Sequence, residues 1–248
     1  SFSKGQNGMI ADSIGFAGTH SIAAILSGVP GLDVLHGTQD FVGRGPIGTD
    51  PQSPDSFARS VATASETGRV VAIHTNFPPS MLKPACDHHG VAYRLIARHP
   101  VRQIESCYAW AMKKTLDGAP DALVMSLKTG LTPLQQMQLP ASLPNVTYVF
   151  AALHVATFNL AALSAGAQVL KMEDLLADEQ TFRIAFDLPA GVELPHFTDA
   201  PQHLAQKRSD PALSVVANPA RTEIVEALRI NVSGRMVGIA ELTQALGY

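Results

Sequence analysis

Short apolar runs alternate with longer helix-like segments along most of the chain, and this alternation limits the folds that it can adopt. The apolar runs predict strands at 9–14, 34–35, 70–74, 93–97 and 167–171. Strands that alternate with helices favour a mainly parallel sheet with helices on both faces. We therefore expect an α/β fold, as a single domain over residues 1–248. Ligands of such sheets bind outside the carboxyl ends of the strands.

The segments between these runs carry helix signals. Ser53 or Asp55 can cap a helix over 55–67, and Pro79 and Gly90 fit the start and the end of another. The remaining helices are predicted at 20–26, at 100–116, twice within 120–163, and in segments that finish the chain. The stretches 40–54 and 188–220 have the least regular patterns.

Composition excludes several classes of protein. Only 16% of the 248 residues are charged and 46% are hydrophobic, which argues against disorder. The formal net charge of −3 argues against a general nucleic-acid binder. Two cysteines, Cys86 and Cys107, are too few for a disulfide scaffold, and Cys107 is expected in the core.

Residues 146–170 are apolar enough to raise the question of a membrane span. Polar residues such as His154 and Asn159 interrupt them, so a buried helix followed by a strand is the preferred interpretation. The first ten residues lack the apolar core of a signal peptide. We expect a cytoplasmic protein without a membrane span.

Two glycine-containing segments could contact a nucleotide. Residues 43–48 match G-x-G-x-x-G, but Pro46 and Pro51 prevent the helix that this motif requires, so a plain turn is preferred. Residues 15–21 follow the first strand and precede a helix. They fit an anion-binding loop with free N–H groups at a helix start, or equally a turn that Thr19 caps.

Arg98 ends the fourth strand, where a guanidinium could bind a phosphate through two hydrogen bonds. The alternative is a surface arginine beside a helix start. Local charge favours the phosphate: six basic and two acidic residues between Lys83 and Lys114 give +4, against −7 for the rest of the chain.

His74 ends a strand, where a neutral imidazole could accept a proton from a substrate near pH 7. A hydrogen-bonded structural histidine is the commoner explanation of one such residue. Cys86, His88 and His89 are close in sequence, but adjacent histidine side chains diverge and no second ligand pair accompanies them. We expect no metal.

Taken together, these segments resemble the sulfotransferase family that uses 3′-phosphoadenosine 5′-phosphosulfate. Residues 95–108 look like the family's 3′-phosphate motif. They comprise an apolar strand, then Arg-x-Pro, and then Ser106 before an aromatic residue. Residues 15–21 are similar to its 5′-phosphosulfate loop. Residues 70–84 resemble the segment with the catalytic histidine, and residues 170–175 resemble the segment after a late strand. The resemblance covers roughly residues 9–190 and implies a P-loop-like sulfotransferase architecture.

The resemblance also implies roles for individual residues. Arg98 and Ser106 would hold the 3′-phosphate, and His74 would be the general base. The 5′-phosphosulfate would lie against a set of loop residues: Ala17, Gly18, Thr19, His20 and Ser21. Stretches 40–54 and 120–145 would shape the acceptor site.

Two positions depart from the family pattern. Phe16 stands where the family has a phosphate-loop lysine, and His20 or Arg44 could replace that charge. Met172 stands where an aromatic residue commonly contacts adenine. The family's C-terminal phosphate contact has only Lys207 and Arg208 as candidates.

The expected activity is transfer of a sulfuryl group from the nucleotide, a co-substrate, to a hydroxyl or amine of a small molecule or glycan. The first alternative is a catalytically impaired or non-enzymatic nucleotide- or partner-binding protein on the same fold. A second alternative is a kinase-like transferase, although no pair of aspartates suited to Mg²⁺ is evident.

Overall fold

The computed structural model of the protein describes residues 8–36, 53–198 and 217–248. Its helices and strands follow one another in the order β1 (Met9–Asp12), α1 (Thr19–Ser27), β2 (Leu32–His36), α2 (Pro54–Ala64), β3 (Arg69–Ile73), α3 (Pro79–His89), β4 (Ala92–Ala97), α4 (Pro100–Leu116), α5 (Pro120–Gln136), α6 (Leu143–Ser164), β5 (Gln168–Lys171), α7 (Met172–Ala177), α8 (Glu179–Ala185), α9 (Arg221–Ala227), β6 (Arg229–Val232), β7 (Arg235–Gly238) and α10 (Ile239–Ala245).

The chain divides into two compact units. The first comprises Ser1–Arg98 with Ala161–Pro201, and the second comprises His99–Leu160 with Gln202–Tyr248. The first unit contains all five strands of the larger sheet. The candidate anion loop, His74 and Arg98 therefore belong to the same unit.

A parallel sheet forms the centre of the first unit, with strand order β2-β3-β1-β4-β5. All four pairings within it are parallel, and β1 lies between β3 and β4. Every residue of β1 is buried, so both faces of this central strand are covered, as is usual for parallel sheets. The expected α/β fold with a parallel sheet and flanking helices is confirmed.

Alternate residues of the strands supply two cores, one on each face of the sheet. Met9 and Ala11 of β1 pack into a core shared with α1 and α8, whereas Ile10 packs into a core shared with α2 and α3. The helix signals were accurate here: Ser53 caps α2 by accepting the N–H of Ser56 at 3.1 Å. Helix α3 spans the predicted range and ends at Gly90.

The second unit contains α4, α5, most of α6, and the C-terminal elements. Helix α6 is long and apolar enough to cross a membrane, with a mean hydropathy of 1.6 over its most apolar window. However, 72% of that window is buried inside the protein, as in the core helix of a soluble protein. Its length and composition are therefore a weak indication of a span.

The C-terminal region differs from the expectation of helices alone. Strands β6 and β7 form an antiparallel hairpin in which Val232 pairs with Arg235. The turn residues Ser233 and Gly234 have φ of 51° and 86°, the left-handed pair that a two-residue hairpin turn requires. Asn231 stabilises the turn by accepting the N–H of Gly234 at 2.8 Å. The predicted helical segments are present as α9 and α10, and the hairpin between them was missed because the Ser-Gly turn signal was not recognised.

Candidate functional site

The loop between β1 and the start of α1 has a backbone conformation that depends on two glycines. Gly15 and Gly18 have φ of 97° and 66°, conformations that suit glycine because it has no Cβ. Gly18 is the N-cap of α1, and its carbonyl accepts the N–H of Ile22 at 3.0 Å. Because Gly18 has no side chain, it cannot cap the first N–H groups of the helix, and these groups suit an anion.

The other predicted loop residues differ in exposure. Ala17 is fully buried and Thr19 is nearly so, whereas Ser21 is half-buried and His20 is exposed. A Cβ added at Gly18 would lie 2.8 Å from the Met172 sulfur and 3.3 Å from a Leu176 methyl. The loop therefore packs closely on α7, which follows β5, the last strand of the parallel sheet.

His74 lies beside this loop. Strand β3 ends at Ile73, so His74 is the first residue beyond it and has a φ of 60°. A Cβ added at Gly15 would lie 3.1 Å from His74 Cε1, which shows how closely the ring approaches the loop. Burial lowers the pKa of His74, and its hydrogen bond with Asn76 opposes that shift. A histidine with a lowered pKa is neutral at pH 7 and can accept a proton.

A third histidine, His36 at the end of β2, joins the site. Its ring centroid lies 4.3 Å from that of His20 and 5.8 Å from that of His74. Burial, followed by the charges of His20 and His74, lowers the pKa of His36 to about 4. Sequence reasoning missed this residue, although a polar residue directly after the apolar run 34–35 was an available signal.

Arg98 follows β4 and is only 5% exposed. Its Nη1 lies 3.5 Å from the Phe16 carbonyl oxygen, to which it donates a hydrogen bond. A buried guanidinium thus lies against the loop. Ser106 is 8% exposed on α4 and belongs to the second unit, so its pairing with Arg98 stays a prediction.

The basic stretch between Lys83 and Lys114 does not act as one patch. Lys83 pairs with Asp87 at 2.7 Å, and Lys113 pairs with Asp117 at 2.8 Å. Arg94 pairs with Asp187 at 2.9 Å. These three carboxylates thus pair with half of the six basic residues in the stretch, and Arg98 is a residue of the stretch that contacts the anion loop.

Within the residues that the structure describes, no three His, Cys, Asp or Glu side chains are placed to hold a metal ion. His89 Nε2 lies 2.8 Å from an Asp55 carboxylate oxygen, an ordinary hydrogen-bond distance. Cys86 and Cys107 are both buried free thiols, and burial raises the pKa of each. The expected core position of Cys107 is confirmed.

Several predicted residues lie outside the described ranges. These are Arg44, the turn at 43–48, Lys207, Arg208 and most of the stretch 40–54.

The second unit has its own cavity of about 620 Å³. Its walls come from α4, α9, β6, β7 and α10, and include Val101, Arg229 and Glu241.

Comparison with known proteins gives no family for this chain. No family model matches its sequence, and no curated protein and no solved structure matches it.

Proposed function

We propose that the protein is a sulfotransferase that moves a sulfuryl group from 3′-phosphoadenosine 5′-phosphosulfate to a hydroxyl or amine of a small-molecule or glycan acceptor. The observation that carries the proposal is the meeting of three strand ends in one unit. Gly15 lies against His74, and the Phe16 carbonyl lies 3.5 Å from Arg98. These are the segments on which the family resemblance rests.

The strand order supports this proposal. The chain leaves β1 to build β2 and β3 on one side, and then crosses to β4 and β5 on the other side. Open α/β sheets bind ligands where the order reverses in this way, at the carboxyl ends of the strands. The loop that follows β1 lies at that point, as the proposed P-loop-like architecture requires.

The donor would bind through the loop and Arg98. The N–H groups of Gly18, Thr19 and Ser21, at the start of α1, would hold the 5′-phosphosulfate. Arg98 would bind the 3′-phosphate, and its burial strengthens a charge-assisted hydrogen bond. Ser106 would add a hydroxyl to the same phosphate. His20 would replace the positive charge that Phe16 does not provide.

The chemistry needs one proton acceptor. The acceptor oxygen would attack sulfur, and the bond between sulfur and the phosphate oxygen would break with its electrons on the leaving bisphosphate. His74 would take the proton of the attacking hydroxyl and release it to solvent. Because burial lowers its pKa, His74 is unprotonated and ready for this role at pH 7. Most of the rate would come from orientation and charge stabilisation.

Thermal unfolding with adenosine 3′,5′-bisphosphate tests the binding half of the proposal. At about 100 times its Kd a ligand adds about 2.7 kcal/mol, which is a Tm increase of roughly 5–10 °C for a chain of this size. Arg98→Ala is expected to abolish this increase. Arg102→Ala, at an exposed arginine four residues later, is the matched control and should retain it. An unchanged Tm of the parent protein at millimolar bisphosphate contradicts the proposal.

A transfer assay with labelled donor tests the catalytic half. The parent protein should transfer sulfate to an acceptor in a panel of alcohols, amines and glycans, and His74→Ala should reduce the rate by about 10²–10⁴. Binding without transfer would instead favour a non-catalytic nucleotide-binding protein, which the Phe16 departure motivates. Stabilisation by ATP but not by the bisphosphate would favour a kinase-like transferase.

A further inference from the structure

Asp12, the last residue of the central strand, is fully buried beneath the candidate site. Its Oδ1 accepts the backbone N–H of Thr75 at 2.8 Å and that of Ser13 at 3.0 Å. Its Oδ2 accepts the hydroxyls of Thr75 at 3.2 Å and Tyr93 at 3.0 Å. One carboxylate therefore joins the loop after β1, the loop after β3, and strand β4.

This carboxylate is costly to bury. Burial raises the pKa of Asp12 to about 6, against the opposing effect of its hydrogen bonds. Among the residues that the structure describes, the titratable groups that face it are Tyr93 from β4 and Cys86 from α3, and both are neutral at pH 7 because burial raises their pKa values. A buried carboxylate that accepts four hydrogen bonds contributes by linking the segments that donate them, and not by filling space in the core.

The residue that Asp12 holds lies between two strained ones. His74 and Asn76, on either side of Thr75, have φ of 60° and 65°. Such conformations persist only where surrounding contacts enforce them. The Thr75 hydroxyl also accepts the N–H of Phe77 at 3.2 Å, so the anchored residue orders the segment after it as well.

We propose that Asp12 is a positioning residue: by holding Thr75 and Ser13 on one carboxylate, it fixes the His74 imidazole against the loop at Gly15. Without this link the backbone at 74–76 relaxes from its left-handed conformation, and the ring moves away from the loop. The inference rests on the proposed function only for the role of His74 as the base. The placement of the ring itself can be measured separately.

The titration of His74, followed by NMR of its ring nitrogens, is the first test. In the parent protein its pKa lies below the ordinary value because the ring is partly buried. Asp12→Ala should return it towards about 6.5 as the ring becomes solvated. Asp12→Asn should keep the lowered pKa of His74. The amide oxygen can still accept the N–H groups of Ser13 and Thr75, and the hydroxyls of Thr75 and Tyr93 can accept from the amide nitrogen.

Two further variants separate positioning from a loss of stability. Val61→Ala removes buried side-chain volume from the core on the α2 side and should leave the His74 titration unchanged. Tyr93→Phe removes the donor from β4 but keeps the link to Thr75, so it should also leave His74 unchanged. If Asp12→Ala does not fold, Thr75→Val takes its place and should raise the His74 pKa part of the way. An unaltered His74 titration in Asp12→Ala or Thr75→Val overturns the inference, as does an equal change in Val61→Ala.

Kinetics give the second test. Asp12→Ala should lower kcat by about 100-fold, because a displacement of about 1 Å at a reacting group has an effect of that size. The KM for the donor should change much less, and Asp12→Asn should recover most of kcat. A KM effect without a kcat effect contradicts the positioning role. If the parent protein transfers no sulfate, the proposed function fails, and the His74 titration alone decides the role of Asp12.

Discussion

At the level of single residues, three non-glycine residues at the carboxyl edge of the sheet have a left-handed backbone conformation. Phe16, His74 and Asn76 have φ between 60° and 65°. Each costs of order 1–3 kcal/mol relative to a relaxed conformation, and such positions concentrate at functional sites. Half of the six described non-glycine residues with positive φ thus lie at the same edge of the sheet as the glycine loop and Arg98.

Sequence reasoning identified some of these residues and missed others for a physical reason. His74 and Arg98 were visible because each directly follows a clear apolar run. Asp12 was missed because it was assigned to the interior of the predicted strand 9–14, whereas β1 ends there. Its partners Thr75 and Tyr93 are far away in sequence, and no local pattern indicates a hydrogen bond between residues 12 and 75.

His36 gives a prediction that needs no ligand. Its imidazole should stay neutral down to about pH 4, because burial and the nearby His20 and His74 disfavour its charged form. A folded pKa below the unfolded one means that the native state binds fewer protons between about pH 4 and 6.5. The contribution of His36 to stability is thus present above pH 6.5 and is lost as the pH falls towards 4.

Ring-nitrogen NMR measures this directly, and His20→Gln should raise the pKa of His36 by removing a nearby charge. Chemical denaturation is the complement. The free energy of unfolding should rise less between pH 4 and 6.5 in His36→Gln than in the parent protein. A His36 that titrates at its ordinary value contradicts the close grouping of the three rings.

At the level of helices and strands, the sequence correctly indicated where helices start and end, but it did not indicate which strands pair. Proline starts and glycine ends located α3 and α4, because caps depend on neighbouring residues. The hairpin of β6 and β7 depends on a Ser-Gly turn between two four-residue strands, and such short segments carry a weak strand signal. Strand order depends on contacts between distant residues and could not be predicted at all.

Gly130 makes the packing of α5 on α6 a testable feature of the second unit. A Cβ at this position would lie 2.4 Å from the Val146 carbonyl oxygen and 3.2 Å from the Phe150 nitrogen. Because these are backbone atoms, the helices would have to separate. Gly130→Ala should therefore destabilise the protein by about 1–3 kcal/mol, despite the higher helix propensity of alanine.

Urea unfolding checks this value, and Thr129→Ala is the matched control. Thr129 is the adjacent residue of the same helix and is exposed, so its substitution should change the free energy of unfolding by less than about 0.5 kcal/mol. A stabilised Gly130→Ala protein would show that α5 and α6 do not approach each other so closely.

At the scale of the whole molecule, the net charge of −3 is distributed in a way that the sequence partly predicted. Three of the six basic residues in the positive stretch pair with carboxylates, and Arg98 of the same stretch donates a hydrogen bond to the loop. The alternation of apolar runs and helices correctly predicted a parallel α/β sheet. The proposed nucleotide site therefore depends on backbone N–H groups and few cations.

A crystal structure with adenosine 3′,5′-bisphosphate is the most direct test of this site. We expect the 5′-phosphate to lie against the N–H groups of Gly18, Thr19 and Ser21, with Arg98 within hydrogen-bonding distance of the 3′-phosphate. A nucleotide bound elsewhere, for example in the cavity lined by Val101 and Arg229, would contradict it, and so would a loop that stays empty at saturating bisphosphate.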